Sequence, residues 1–443
     1  MRASTPITSS SDAGVPPTLR IVRRHWIPPI ALAAGQLAHG MSWILLIVLA
    51  VRGTLASGFP ALGWVHLVAL GWLTITALAI LVHVIPGFTD ATWKGESVAR
   101  GSLFVLEAGV LALVVAFCTG TSAALPWAGT LVVIALAFFL VPAGITLATT
   151  FGGEKSAAAI ARALLITLAA LFATALLGAA LAWALAGYAW AELLASGPPA
   201  HAALGVIGWL SVLVMGVSMR TVRPICGARS RWPWAHIAAG AGEVAGVLLF
   251  AAGSLLHAGA LAWFGALIVV LGAVTYVADL ADILRRATVA HRPPQAFLAA
   301  GIVWFVGGLT LAAGALFGAP WGAAAVYVLL VGWIGQMVNG HLNHIGIRLI
   351  ATVVRGDDDE TRPGELLVLP LSWVSFALFQ LAVAGGAAAL VFDRPAIMAG
   401  AAAAGLCAWL AMLMNAAHAS RSATKLTQPP NDMPAISLLH INR

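Results

Sequence analysis

Charge is scarce in this sequence: 9% of its residues are Asp, Glu, Lys or Arg, against 61% that are apolar. An ordinary soluble globule carries about 25% charged residues, so that class is excluded. Cysteine is scarcer still. Cys118, Cys226 and Cys407 stand far apart, with no metal or redox spacing and no basis for a disulfide framework. The apolar–polar alternation of membrane β-strands is missing too, because the apolar runs are continuous and rich in Ala and Leu. No phosphate-binding glycine loop, nucleotide fingerprint or nucleophile–base pair occurs. The net charge of +7 is read as membrane topology, with no nucleic-acid partner, since the basic residues gather in alternate loops.

What is present is a series of apolar runs, each close to the 20 or so helical residues that cross a hydrocarbon core of about 30 Å. Twelve spans start near residues 27, 62, 101, 125, 160, 200, 235, 260, 295, 321, 367 and 396. Lys94 and Arg100, Lys155 and Arg162, Arg220 to Arg231, Arg285 to Arg292, and Arg348 and Arg355 fall on alternate connections, as do the basic residues of both tails. The opposite loops are short and hold little beyond Arg52 and Arg394. The positive-inside rule then puts both termini in the cytoplasm, and an odd count of spans would break the alternation. The expected architecture is an all-α polytopic membrane bundle of about twelve transmembrane helices over residues 26–419, with the lipid bilayer as its obligatory partner. Residues 1–25 read as a disordered cytoplasmic tail and 420–443 as a second one. The first apolar run has no small-residue cleavage site and is read as a retained span rather than a signal peptide.

One stretch recurs. Gly71-Trp72-Leu73 in span 2 returns as Gly208-Trp209-Leu210 in span 6 and Gly332-Trp333-Ile334 in span 10. From Gly71 to Gly208 is 137 residues and from Gly208 to Gly332 is 124, so the chain divides into three quasi-equivalent sets of four spans. The three tryptophans read as packing residues. Ionisable side chains within spans are costly and count as functional candidates. Glu107 in span 3 and Glu243 in span 7 are the informative ones, placed about two turns above the cytoplasmic end, with Gln380 in a loosely similar position in span 11. Asp279 and Asp282 lie near Arg285 and Arg286, and local ion pairing accounts for them.

Depth sorts the histidines. His66 and His83 share span 2 but are 17 residues apart, about 25 Å along a helix, and cannot share a site. His201 begins span 6 at the outer end, level with His66, and Tyr327 stands at that level in span 10. His39 lies near the middle of span 1. His341 and His344 lie toward the inner end of span 10, one turn apart on a single face. His83, Arg220 and His344 each fall twelve residues after the repeated glycine. An inner polar cluster of His83, His341, His344, Arg220, Gln336, Asn339 and Asn343 is therefore expected, with Glu107 and Glu243 at a related depth. Imidazole is the usual protein ligand of heme iron and a common one of copper, and two histidines on neighbouring helices can hold a heme between them. His66, His201, His341 and His344 are the candidate metal ligands, with His83 and His39 as further cofactor contacts.

Twelve spans in three sets of four, with histidines on spans 2, 6 and 10, resemble the catalytic subunit of heme-copper oxidases and nitric oxide reductases. The chain is similar in particular to NnrS-type proteins, through His66 with its long apolar span ending in Val-Ile-Pro-Gly-Phe-Thr-Asp. The second such stretch is His201-Ala-Ala-Leu-Gly-Val-Ile-Gly followed by Met-Gly-Val-Ser-Met-Arg. The resemblance implies heme b and copper as cofactors, a role in nitric oxide or respiratory redox metabolism, an electron-donor protein or partner subunit, and residence in a bacterial inner membrane. It places His66 at the span-2 heme-ligand position and His201 at the span-6 copper-ligand position. The adjacent span-7 histidines and span-10 His-x-His of the oxidases have no counterpart. Gly205 stands where the span-6 tyrosine would, so a complete oxygen-reducing binuclear centre is not expected and enzyme status stays open. The alternative is a transporter or channel with a histidine-lined polar path.

Overall fold

A computed structural model describes residues 27–54, 58–89, 91–153, 155–355 and 363–426. The expected tail at 1–25 and residues 427–443 of the second tail lie outside them. Twelve helices are long and apolar enough to cross a membrane. They are α1 (Ile27–Val51), α2 (Phe59–Thr89), α3 (Glu96–Thr119), α4 (Leu125–Ala148), α5 (Lys155–Leu185) and α6 (Leu193–Ser218). The second half comprises α7 (Pro233–Leu255), α8 (Gly259–Arg285), α9 (Arg292–Leu316), α10 (Gly322–Ala351), α11 (Leu369–Val391) and α12 (Pro395–Leu426). Among the described residues there is no strand. The chain is an all-α polytopic bundle suited to a lipid bilayer, as the composition requires. The last helix runs on through Leu426, beyond the expected boundary at residue 419.

Local chemistry sets many of the helix ends. Proline occupies the first turn of α2, α4, α7, α9 and α11, where its missing N–H has no intrahelical partner to lose. Gly120 closes α3 and Gly227 closes the extension of α6 through Cys226, both left-handed at φ near +70°.

Burial identifies the centre. In α2, α6 and α10 the apolar window is 67%, 67% and 78% buried, while no other helix exceeds 50%. These are the three Gly-Trp helices, and they pack against one another at the middle of the bundle. α3, α4 and α5 fill the arc between α2 and α6; α7, α8 and α9 fill the arc from α6 to α10; α11, α12 and α1 close the ring back to α2. The three sets of four are thus visible as three arcs around one axis.

Each central helix widens into an eight-residue π-helical turn, at Leu67–Thr74, Leu204–Ser211 and Val328–Gly335. The repeated glycine is the fifth residue of each turn and the tryptophan the sixth. The indole N–H groups then reach around the axis. Trp209 Nε1 donates to Thr74 Oγ1 at 2.9 Å, and Trp333 Nε1 donates to Ser211 Oγ at 3.1 Å. Both acceptors are the eighth residue of the neighbouring π turn. In α10 that position is Gly335, which has no hydroxyl, and the Trp72 N–H has no protein partner. The Trp72 ring instead stacks on His39, with centroids 3.5 Å apart and planes 3° from parallel. The tryptophans are packing residues, as expected, and two of them also bolt the central helices together.

Candidate functional site

Between α2 and α6, toward the arginine-poor end, lies a cavity of about 460 Å³. Its walls are almost wholly apolar, drawn mainly from α2, α5, α6 and α10 with single residues from α1, α11 and α12 and a few from α3 and α4, and two imidazoles, His66 and His201, line it. Their ring centroids are 6.1 Å apart and their planes 22° from parallel.

The hydrogen bonds fix the tautomers. His66 Nδ1 is 2.8 Å from the Leu62 carbonyl one turn back, and His201 Nδ1 is 3.1 Å from the Thr174 carbonyl of α5. A carbonyl only accepts, so each Nδ1 carries the proton and each Nε2 keeps its lone pair. This is the state of a metal-ligating histidine: one nitrogen anchored to an outer oxygen, the other free to bind. Packing holds the rings. Phe117 covers His66 with centroids 5.1 Å apart. Gly178 of α5 makes room for His201, since a Cβ there would lie 2.7 Å from His201 Cε1.

How the two rings reach one cavity follows from the register. His66 lies five residues before its Gly-Trp glycine and His201 seven before its own. Strict threefold equivalence would put a histidine at Ala203, facing the next arc. The two-residue offset turns the side chain by about 200° at 100° per residue, back toward α2. Tyr327, which does share the register of His66, lines the cavity but gives its hydroxyl to the Ala382 carbonyl at 2.9 Å.

The geometry suits a metal with two protein nitrogens. The ring centroids are 6.1 Å apart, too far for direct contact, which leaves room for an ion between the imidazoles. Among the described residues no group of three or more His, Cys, Asp or Glu is placed to hold a metal. A heme would need only these two histidines from the protein, since its porphyrin would supply the remaining nitrogens to the iron. A bare copper site generally draws three or more protein ligands.

The inner histidines come near one another in part, and each has other neighbours. His341 has both nitrogens engaged: Nδ1 donates to the Met337 carbonyl at 2.7 Å, and Nε2 accepts from Thr221 Oγ1 at 2.7 Å. His344 faces His291, in the loop before α9, as well as His341. A second π turn at Leu342–Gly346 begins between the two histidines. Arg220 is exposed, near the arginine-rich end of the helix that continues from α6 to Cys226. His83 is half-buried at the arginine-rich end of α2. His39 is buried against Trp72 and does not line the cavity.

The carboxylates also moved from expectation. α3 starts at Glu96 and α7 at Pro233, so Glu107 and Glu243 stand about three turns into their helices, near mid-depth rather than two turns from the end. Glu243 is fully buried and Glu107 half-buried. Gln380 accepts the Trp304 indole N–H at 2.9 Å. Asp282 pairs with Arg286 at 2.6 Å, as expected, but Asp279 turns away from the arginines to His236 Nδ1 at 2.7 Å. Thr174 and Gly178, which seat His201, gave no signal in the sequence, because a threonine and a glycine four apart on an apolar helix are unremarkable.

No protein-family model matches the chain, and no curated protein is similar to it.

Proposed function

We propose that this chain is an integral membrane redox protein that holds a heme between His66 and His201. The observation that carries the reading is the pair itself: two imidazoles from neighbouring central helices, each anchored through Nδ1, both lining one apolar cavity. A heme bound there supplies one-electron chemistry. The protein supplies bis-imidazole ligation, exclusion of water by apolar walls and a low dielectric, the levers that set a heme potential. The carbonyls of Leu62 and Thr174 keep the ligand nitrogens unprotonated and oriented. The resemblance to NnrS-type proteins and heme-copper oxidases favours heme b, nitric oxide or respiratory electron transfer, and a donor protein or partner subunit. The arginine-rich end, with both termini, is assigned to the cytoplasm of a bacterial inner membrane by the positive-inside rule. On that assignment the cavity opens near the outer face.

The test is a reduced-minus-oxidised absorption spectrum of the detergent-purified protein, with elemental analysis, for wild type, His66→Ala, His201→Ala and His341→Ala. Soret and alpha bands are expected in wild type and His341→Ala and lost in the other two. Copper without heme bands would replace the heme by a two-coordinate copper ion on the same histidines. Neither bands nor copper, or bands indifferent to both substitutions, would remove the reading.

A further inference from the structure

α7 and α8 are the most closely packed helices of the bundle. Glycines line their contact: a Cβ at Gly246 would lie 2.7 Å from Val269 N, at Gly253 2.3 Å from Ala262 N, and at Gly272 2.9 Å from the Ala239 carbonyl. In this tight seam, and along the face of α6 beside it, stands a ladder of buried polar groups that the heme cavity does not use.

The ladder starts at the arginine-rich end. Arg286 and Arg231 hold Asp282 at the mouth, 2.6 and 3.8 Å away. The first rung is the buried Asp279, which faces His236 Nδ1 at 2.7 Å and accepts from Ser230 Oγ at 2.6 Å. One turn deeper, Tyr276 donates its hydroxyl to Ser218 Oγ at 3.1 Å, with the His236 ring edge-on to it at 5.5 Å. At the top is Glu243, fully buried, with the Ser211 hydroxyl facing it and its Cγ 3.3 Å from the Cβ position of Gly272. Residues 279, 276 and 272 follow one face of α8, and 236, 239 and 243 one face of α7, so the rungs rise by about 5.4 Å each along the helices.

We propose that Glu243 is a mid-membrane proton store loaded only from the arginine-rich end, through Asp279–His236 and then Tyr276–Ser218. A proton from water at that end passes rung by rung, by way of water between the rungs, to the Glu243 carboxylate, which becomes a neutral carboxyl. No electron moves, and the return transfer delivers the proton to the same end. Ionised, Glu243 would be a bare charge in a dry interior, since no cation pairs with it among the described residues. The groups facing the ladder are Ser211, Ser218 and Cys226 from α6 and its extension, His236 from α7, and Tyr276 and Asp279 from α8. Beyond Glu243 the route stops. Ser211 is bonded by Trp333, and the next polar link is the Trp209 bond to Thr74. An indole N–H donates and cannot accept a proton, so these links block onward transfer. The site is independent of the His66–His201 reading.

The experiment is infrared spectroscopy of the full-length protein in lipid nanodiscs, in H2O and after transfer to D2O. Glu243→Gln, Glu107→Gln, Asp279→Asn and His236→Gln are compared with wild type, each checked for monodispersity and helicity. Wild type is expected to show the carbonyl stretch of a protonated buried carboxyl at neutral pH, absent in Glu243→Gln and kept in Glu107→Gln. Its shift in D2O should slow by about tenfold or more in Asp279→Asn and His236→Gln, as expected when a positioned proton carrier is lost. A wild type without the band, a band that follows Glu107 instead, or exchange as fast in both relay variants as in wild type overturns the proposal. Two relay variants are used so that one failing to fold does not decide the matter.

Discussion

Replacing Gly178 by alanine tests the seat of His201 with a single carbon atom. The added Cβ would lie 2.7 Å from His201 Cε1 and 3.3 Å from Nδ1, where ordinary contact begins at 3.4 Å. The ring must therefore retreat from α5 by about 0.7 Å, the difference between 3.4 and 2.7. Thr174 lies on the same helix one turn earlier, so the retreat also stretches the 3.1 Å bond from Nδ1 to its carbonyl past the hydrogen-bond limit. A bond worth about 1 kcal/mol is lost, and with it the group that fixes the tautomer and aim of the ligand nitrogen. Losses of that kind lower metal affinity by about 10- to 100-fold. Gly144→Ala in α4 is the matched control, since its nearest neighbour would be Leu165 Cδ2 at an ordinary 3.7 Å. The assay is heme titration of purified protein followed by absorbance, with thermal unfolding run in parallel. Gly178→Ala is expected to weaken binding by at least about tenfold while Gly144→Ala leaves it unchanged. Equal affinities in the two variants would refute the reasoning.

In the α7–α8 seam, Gly265→Ala places a Cβ 2.4 Å from Phe250 N and 2.5 Å from the Gly246 carbonyl, both backbone. Overpacking that no rotamer relieves is expected to cost at least about 1–3 kcal/mol, whereas Gly240→Ala, with nothing within 4 Å, should be neutral or stabilising by up to about 1 kcal/mol. Unfolding midpoints in detergent check this, and equal midpoints would contradict it. Among the axial tryptophans, Trp209→Phe and Trp333→Phe each remove a bonded N–H and Trp72→Phe an unpartnered one. The first two are expected to be less stable than the third by about 1 kcal/mol, measured by the same unfolding assay. Burial of His291, in the loop between α8 and α9, holds its imidazole below the usual histidine range, against the opposing pull of the Asn343 carbonyl. Its pKa is lower folded than unfolded, so the unfolded chain takes up the proton first as pH falls through about 6.5. The His291 contribution to stability is therefore lost on acidification below that pH, and His291→Gln should flatten the fall in unfolding temperature between about pH 7 and 5.

Fold class was legible in the sequence because the bilayer reads composition directly: a run long and apolar enough to span must be a helix, since its backbone bonds can close only on themselves. The Gly-Trp repeat likewise announced the three central helices, because the residues that pack on the axis must be the same in each arc. The site was legible only in part. His66 and His201 were both candidates, yet so were His341 and His344, and composition cannot tell a ligand from a bonded spacer. That difference lies in which nitrogen meets which carbonyl. His341 is spent on Met337 and Thr221, on two different helices, whereas His201 is anchored by Thr174, 27 residues away in sequence. The pairing of Asp279 with His236 rather than with nearby arginines arose the same way, from how closely the α7–α8 glycines let the backbones approach. By itself the sequence determined spans, order and axis, which depend on transfer from water to lipid and on local periodicity. Only the tertiary structure decided which side chains share a cavity, because the π turns and a two-residue offset rotate helices about their own axes, and rotation leaves no mark in composition.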